Sequence, residues 1–182
     1  SIISKIPVHR EIARNIKLRA LKLKPGDNAP SFELKNIEGQ SVSLQNYKGK
    51  YLYLIFCRSE NFTCLKDYKL IKPIFDEQYK DLEIVTASSD KNFSVFSNFI
   101  KDNREEFPWT FLYAENENSI YSDYQIKTLP EYFLIDPEGK IAMLPAPSPH
   151  ENFKWYFSMI IKWREASKNP KQNVKNDGIY RY

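Results

Sequence analysis

Seven consecutive apolar or aromatic residues, Tyr51-Leu52-Tyr53-Leu54-Ile55-Phe56-Cys57, constrain this chain more than any other feature. The run is too short for a typical amphipathic helix and shows no alternation. It therefore reads as a strand buried on both faces. The polar loop Arg58-Ser59-Glu60 follows, and then a helix start. Asn61 or Thr63 offers a side-chain oxygen to the free N–H groups of a first helical turn. Cys64 is thereby placed in that turn, directly above the end of a central strand. The partial positive charge of a helix N-terminus favours a thiolate there, which makes Cys64 the main chemical clue.

The remaining segments arrange themselves around this unit. Pro7 to Leu23 has helical spacing at Ile12, Ile16, Ala20 and Leu23, and Pro25-Gly26 ends it. Ala29–Leu34 and Gln40–Leu44 alternate across the turn Asn36-Ile37-Glu38-Gly39 and predict a β-hairpin. The helix after Cys64 carries Leu65, Tyr68, Ile71, Phe75 and Tyr79 on one face, with Pro73 predicting a kink. A second strand spans Asp81–Thr86, and Ser88-Ser89-Asp90 is expected to cap the helix bearing Phe93, Phe96, Phe99 and Ile100. Trp109–Ala114, Pro130–Asp136 and Ile141–Leu144 are further strands, the last two forming a hairpin through Pro137-Glu138-Gly139-Lys140. Ser119–Tyr124 and Glu151–Ala166 are helical.

Strands alternating with helices predict an α/β fold with a largely parallel arrangement covered on both faces; the closing hairpin adds antiparallel edge strands, so a central mixed sheet flanked by helices is expected, with an N-terminal β-hairpin and an extra N-terminal helix. The expected organisation is an N-terminal helical extension over 1–23, the main domain over 24–166 and a tail over 167–182.

Composition narrows the function. The net charge of +4 arises from 27 basic and 23 acidic residues that are interspersed, with no basic stripe of the kind nucleic-acid binders show. No stretch approaches the length of a membrane-spanning helix. The chain starts at Ser1 without a signal peptide, and reads as a processed form or fragment. His9 and His150 stand apart and no phosphate-cradling glycine loop occurs, so neither a metal nor another cofactor is expected.

Several motifs, in order, carry a resemblance. They are Gly26-Asp27-Asn28-Ala29-Pro30-Ser31-Phe32-Glu33-Leu34, Gly39-Gln40-Ser41-Val42-Ser43-Leu44, Tyr47-Lys48-Gly49-Lys50, the strand to Phe56, Thr128-Leu129-Pro130, and Phe133-Leu134-Ile135-Asp136-Pro137-Glu138-Gly139-Lys140. Across roughly Lys24 to Lys162 the chain resembles the thioredoxin-like domain of bacterial envelope thiol–disulfide oxidoreductases of the TlpA/ResA type, within the AhpC/TSA-related superfamily. The proline-rich stretch and aromatic last helix are similar to versions found in Bacteroidetes. The resemblance implies a thioredoxin-like fold, a place in the bacterial envelope or periplasm, and protein clients bearing thiols or disulfides. It also implies a cis peptide at Pro130, where Thr128, Leu129 and Pro130 would meet an extended polypeptide substrate.

The departure lies at the reactive pair. Such domains carry Trp-Cys-x-x-Cys; here Asn61, Phe62, Thr63 and Cys64 occupy the Cys-x-x-Cys positions and Cys57 the place of the tryptophan usually found just after the strand. An amide cannot ionise to a nucleophile, so Asn61 cannot begin dithiol exchange. Cys64 is then either a single reactive thiol or an inert buried one, and burial, which raises a thiol's pKa and limits access, favours the second. Cys57 either pairs with Cys64 or fills core space; the demand on Cα separation and Cβ direction favours the second. Asp67 is either the acid that the resemblance places beside the thiol or a solvated helix residue, the latter slightly preferred. A peroxidatic role for Cys64 is disfavoured, since Asn61 stands where that chemistry needs Thr or Ser.

Two readings follow. One is a domain whose ordinary dithiol exchange is lost or altered and which binds polypeptide or serves as structure. The other is an enzyme using Cys64, alone or with Cys57. On the last helix Phe153, Phe157 and Ile160 form one stripe, expected to dock on the sheet. Trp155, Met159 and Trp163 form a second, available to the N-terminal helix, a second subunit or an upstream domain.

Overall fold

The computed structural model describes residues 22–115 and 119–168. The helix expected between Pro7 and Leu23 falls almost wholly outside these residues. The chain divides into two compact units, Ser1–Ala146 and Pro147–Tyr182, at the proline-rich stretch.

The first unit is built on strands β1 (Glu33–Lys35), β2 (Ser41–Ser43), β3 (Tyr51–Cys57), β4 (Leu82–Ser88), β5 (Thr110–Tyr113), β6 (Glu131–Ile135) and β7 (Ile141–Met143). Its helices are α1 (Phe62–Asp76), α2 (Phe93–Asn103) and α3 (Ser119–Asp123). The strands form one sheet in the order β2-β1-β5-β4-β3-β6-β7. Only β3–β4 and β4–β5 pair in parallel; every other neighbouring pair is antiparallel. The sheet is therefore mixed, as expected, with fewer parallel pairs than the strand–helix alternation by itself suggested. The closing hairpin does not merely decorate an edge. It inserts β6 directly against β3, pairing Phe56 with Glu131 and Leu52 with Ile135.

The apolar run behaves as its composition requires. Every residue of β3 is buried, because the strand lies between β4 and β6 and both of its faces are covered. Leu52, Leu54 and Phe56 point to one face, with Val85, Ala87, Leu112, Ile120, Tyr124 and Phe133 in the same cluster. Phe56 meets Tyr124 and Phe133 with ring centroids at 5.2 and 5.6 Å. Tyr53, Ile55 and Cys57 point to the opposite face, the side of α1 and α2. There Tyr68 of α1 meets Phe107, Trp109 and Phe111 at 5.3 to 5.5 Å. Edge-to-face ring packing of this kind adds to the burial energy.

Local signals explain most boundaries. Gly39 has φ +78°, the left-handed value that closes the β1–β2 turn without a Cβ penalty. Helix α1 runs on past Pro73 but ends at Asp76, short of Tyr79. Its buried positions Cys64, Tyr68, Ile71 and Ile74 follow the helical period, with Asp67 among them. The expected cap of α2 is corrected: Asn92, not Ser88-Ser89-Asp90, accepts the Val95 N–H at 2.9 Å.

In the second unit, helix α4 spans Phe153–Lys168. Phe153 and Phe157 are buried and stack on one another at 5.7 Å, while Trp155, Met159 and Trp163 are exposed.

Candidate active site

The candidate site lies at the C-terminal end of β3. Cys57 is the last residue of that strand, and Cys64 is in the first turn of α1. Asn61 is the N-cap and its Oδ1 accepts the Cys64 N–H at 3.1 Å. Asn61 thus serves as the cap of α1.

Cys57 and Cys64 are joined in a disulfide with Cα atoms 5.9 Å apart, and both residues are fully buried. The separation is well within the usual range for a bridge. This corrects three expectations: Cys64 is neither a reactive lone thiol nor an inert free one, and Cys57 is not an unpaired space filler. Of the alternatives the sequence left open, the displaced bridge is the one formed. The reason is topological. The register that ends β3 beside Ser88 also starts α1 above it, which brings two cysteines seven positions apart onto one sheet face.

Asp67 is buried, so its reading as a solvated helix residue is corrected as well. It lies one turn beyond Cys64, and the Tyr132 hydroxyl donates to its Oδ2 in a very short hydrogen bond. Tyr132 pairs with Ile55 in the β6–β3 ladder and stacks on Tyr53 at 5.6 Å. Burial, reinforced by the Asp67 carboxylate, holds the Tyr132 phenol far above its ordinary range. This residue therefore remains a donor, and Asp67 is bound into the β6 wall.

A second buried carboxylate braces the opposite side. Asp90 Oδ1 accepts the Ser59 N–H at 2.8 Å and the Ser59 hydroxyl at 2.7 Å, while Oδ2 accepts the Ser88 hydroxyl at 2.8 Å. The loop carrying Arg58 to Asn61 is thereby clasped to the end of β4. Two further bonds reach the neighbouring backbone. Ser89 N–H donates to the Cys57 carbonyl at 3.1 Å, and the Tyr121 hydroxyl lies within hydrogen-bond reach of the Cys57 and Ala87 carbonyls at 3.1 and 3.0 Å. Burial pushes Tyr121 up to about 12, only partly offset by Ser89 and the Arg58 charge. Arg58 Nε donates to the Ser89 hydroxyl at 3.1 Å.

The expected substrate-binding segment precedes β6. The Leu129–Pro130 peptide is cis. Because Glu131 pairs with Phe56, Leu129 and Pro130 lie alongside the end of β3 that bears Cys57. Thr128 is exposed, and Leu129 and Pro130 are half-buried. At the helix start Phe62 is 70% exposed, with the Lys66 ammonium 4.6 Å from its ring centre, and Thr63 is exposed. Glu131 is half-buried, and that burial raises its carboxyl above the ordinary range.

Sequence reasoning missed Asp90, Ser59, Tyr121 and Tyr132. The signal for Asp90 was an acid immediately after an apolar strand, at the strand end nearest the cysteines. Nothing local in the sequence marked Tyr132 as the partner of Asp67, which is 65 residues away.

Comparison with known proteins places this geometry. The AhpC/TSA family model matches residues 25–144. The thiol-disulfide oxidoreductase ResA of Bacillus subtilis is 28% identical over 147 residues, covering 78% of each chain. Among solved structures, the thioredoxin domain of a thiol-disulfide oxidoreductase from Bacteroides vulgatus superposes with a TM-score of 0.63 at 24% identity. The match covers 75% of this chain and 98% of that one. A thiol:disulfide interchange protein from a Bacteroides species superposes at 0.66 with 23% identity, over 84% and 98% of the two chains. The matched span contains the whole seven-stranded sheet and the clasped cysteine pair, and on these grounds the chain belongs to the AhpC/TSA family as a thioredoxin-like domain of the TlpA/ResA type.

Proposed function

We propose that this domain binds extended polypeptide in the envelope of a Bacteroidetes-like bacterium and has lost ordinary dithiol–disulfide exchange. One observation carries the reading. The position that should launch the exchange is Asn61, whose side chain caps α1, and the remaining cysteine is held in a fully buried bridge to Cys57. Exchange needs a thiolate that can reach a disulfide sulfur. Asn61 supplies no thiolate, and the buried bridge presents no accessible sulfur. Polypeptide binding is supported by Leu129 and Pro130 beside the strand end and by the exposed Phe62 ring at the helix start. An extended client would pair with the backbone before β6 and cover Phe62.

A second reading is favoured by the bridge itself, since a disulfide lies at the same end of the sheet as the usual pair. Under it, a small thiol opens Cys57–Cys64 and the two sulfurs cycle as a dithiol.

Thiol titration of the native protein, followed by insulin reduction in dithiothreitol, separates the two. No titratable thiol and no turnover above the reagent blank are expected. Turnover by the unmodified protein refutes the proposal. The combined variant Cys57→Ala/Asn61→Cys frees Cys64 and restores the family spacing, and it is expected to gain insulin reductase activity. A folded but inactive variant would show that more of the site than one sulfur has been lost. Binding is read by fluorescence anisotropy with a labelled, permanently unfolded polypeptide. Phe62→Ser with Leu129→Ala is expected to weaken it by about tenfold, the equivalent of ~1.4 kcal/mol. Unchanged binding would remove the polypeptide role.

A further inference from the structure

The outer face of α4 holds an unusual set of side chains. Trp155 is 52% exposed, Tyr156 40%, Met159 48% and Trp163 74%. Trp155, Met159 and Trp163 follow one another at four-residue spacing, which makes a continuous stripe along more than two turns of one helix. Isolated exposed apolar residues are ordinary, but a contiguous aromatic stripe marks a contact surface.

Charge identifies what the stripe contacts. Residues 153–182 contain seven Lys or Arg and two Asp or Glu, a formal +5. The whole chain is +4, so residues 1–152 together are −1. Residues 1–24 hold seven Lys or Arg and one Glu, a formal +6, so residues 25–152 together are −7 and the positive charge lies at the two ends of the chain, α4 belonging to one of them. Lys162, exposed, is next to Trp163 in the sequence, and exposed Lys168 ends the helix.

We infer that the Trp155–Met159–Trp163 face of α4 lies on an anionic lipid surface. Three physical points select lipid over other anionic partners. Tryptophan and tyrosine rings, apolar with a polar edge, settle at the headgroup level of a bilayer. A straight stripe on a convex helix suits a flat interface, whereas stacking on nucleic-acid bases uses aromatic platforms along a positively charged groove. Lysines near an anionic leaflet add an attraction that salt screens. Among the described residues no helix is long and apolar enough to cross a membrane, so α4 lies in the interface plane. This surface is independent of the cysteine site, and the inference stands or falls apart from the proposed loss of exchange.

The test is partitioning of the full chain onto large unilamellar vesicles, measured by co-sedimentation and by tryptophan emission. The three tryptophans report separately in effect, because Trp109 is buried in the first unit and only Trp155 and Trp163 meet solvent. Vesicles of phosphatidylcholine with phosphatidylglycerol are expected to bind the protein, shift its emission to the blue and protect it from acrylamide. Phosphatidylcholine alone should bind at least about tenfold more weakly, and Trp155→Ala/Trp163→Ala should lose about as much on the anionic vesicles. Lys162→Glu/Lys168→Glu should weaken binding and flatten its salt dependence. Unchanged circular dichroism and melting temperature establish that the variants fold. Three results each overturn the inference: equal binding to neutral vesicles; self-association abolished by the tryptophan variant, which would assign the face to a second copy; or tighter binding to single-stranded DNA than to anionic vesicles.

Discussion

Helices α1 and α4 use similar residues in opposite ways. At the start of α1, sulfur, a carboxylate and a tyrosine side chain are turned inward. Cys64 is bonded to Cys57, Asp67 is bound by Tyr132, and Tyr68 is enclosed by Phe107, Trp109 and Phe111. Along α4, two tryptophans, a tyrosine and a methionine are turned outward. The chemically able groups are thus sealed, and the exposed groups have no covalent chemistry to offer.

If the α1 end is a sealed brace, breaking its internal bonds must cost stability in a definite order. Asp90→Ala is expected to cost most. It strands the Ser59 N–H and two hydroxyls that now share one carboxylate, and buried donors without partners cost about 1–3 kcal/mol each. With partial relaxation the total should be ~3 kcal/mol, read as a lower urea midpoint at unchanged slope. A loss below 0.5 kcal/mol would mean that water replaces the carboxylate and that the loop is not clasped.

Removing the bridge comes second. Cys57→Ala/Cys64→Ala reopens a short loop of sequence separation seven, and the chain-entropy account gives about 2–3 kcal/mol. Thermal unfolding of the oxidised, reduced and substituted forms measures it. If reduction and substitution leave the midpoint unchanged, the pair is dispensable to the fold and the redox reading gains.

Tyr121→Phe is expected to be mildest, about 1 kcal/mol at neutral pH for its lost hydroxyl bonding near the Cys57 and Ala87 carbonyls. Its pH dependence sharpens the comparison. Because Tyr121 is raised from 10.0 to about 12, the folded state keeps its phenolic proton where an unfolded chain has released it. The contribution is whole below pH 10 and is lost as pH rises towards 12. The variant should lose stability less steeply over that window. Tyr47 is also raised to about 12, first by its own burial and then by Glu83, so some alkaline loss should persist in the variant. An identical alkaline slope would show that Tyr121 does not hold its proton more tightly when folded.

Much of this molecule is legible in its sequence. The β3 boundaries follow directly from an unbroken apolar run, and a cap at Asn61 or Thr63 follows from their side-chain oxygens, of which the fold uses Asn61. The two stripes of α4 were separable by spacing, and their burial agrees. Less legible was anything that depends on who stands opposite. Ser88-Ser89-Asp90 has the composition of a cap, yet Asp90 turns back to Ser59, 31 residues away, and leaves the cap to Asn92. Asp67 looks like a surface residue in its own sequence neighbourhood and becomes buried because β6 presents Tyr132 to it.

The sequence by itself determined most of the elements, the covered strand, the mixed character of the sheet and the presence of a polar cap, Asn61 or Thr63, before α1. These depend on side-chain chemistry and on periods of two or a few residues, and the chain carries such information locally. Tertiary structure alone decided that Cys57 and Cys64 are bonded, that two carboxylates brace the loop between them, and that β6 stands directly against β3. Each of those outcomes depends on strand order and register, which bring distant residues within bonding distance and cannot be read from either segment alone.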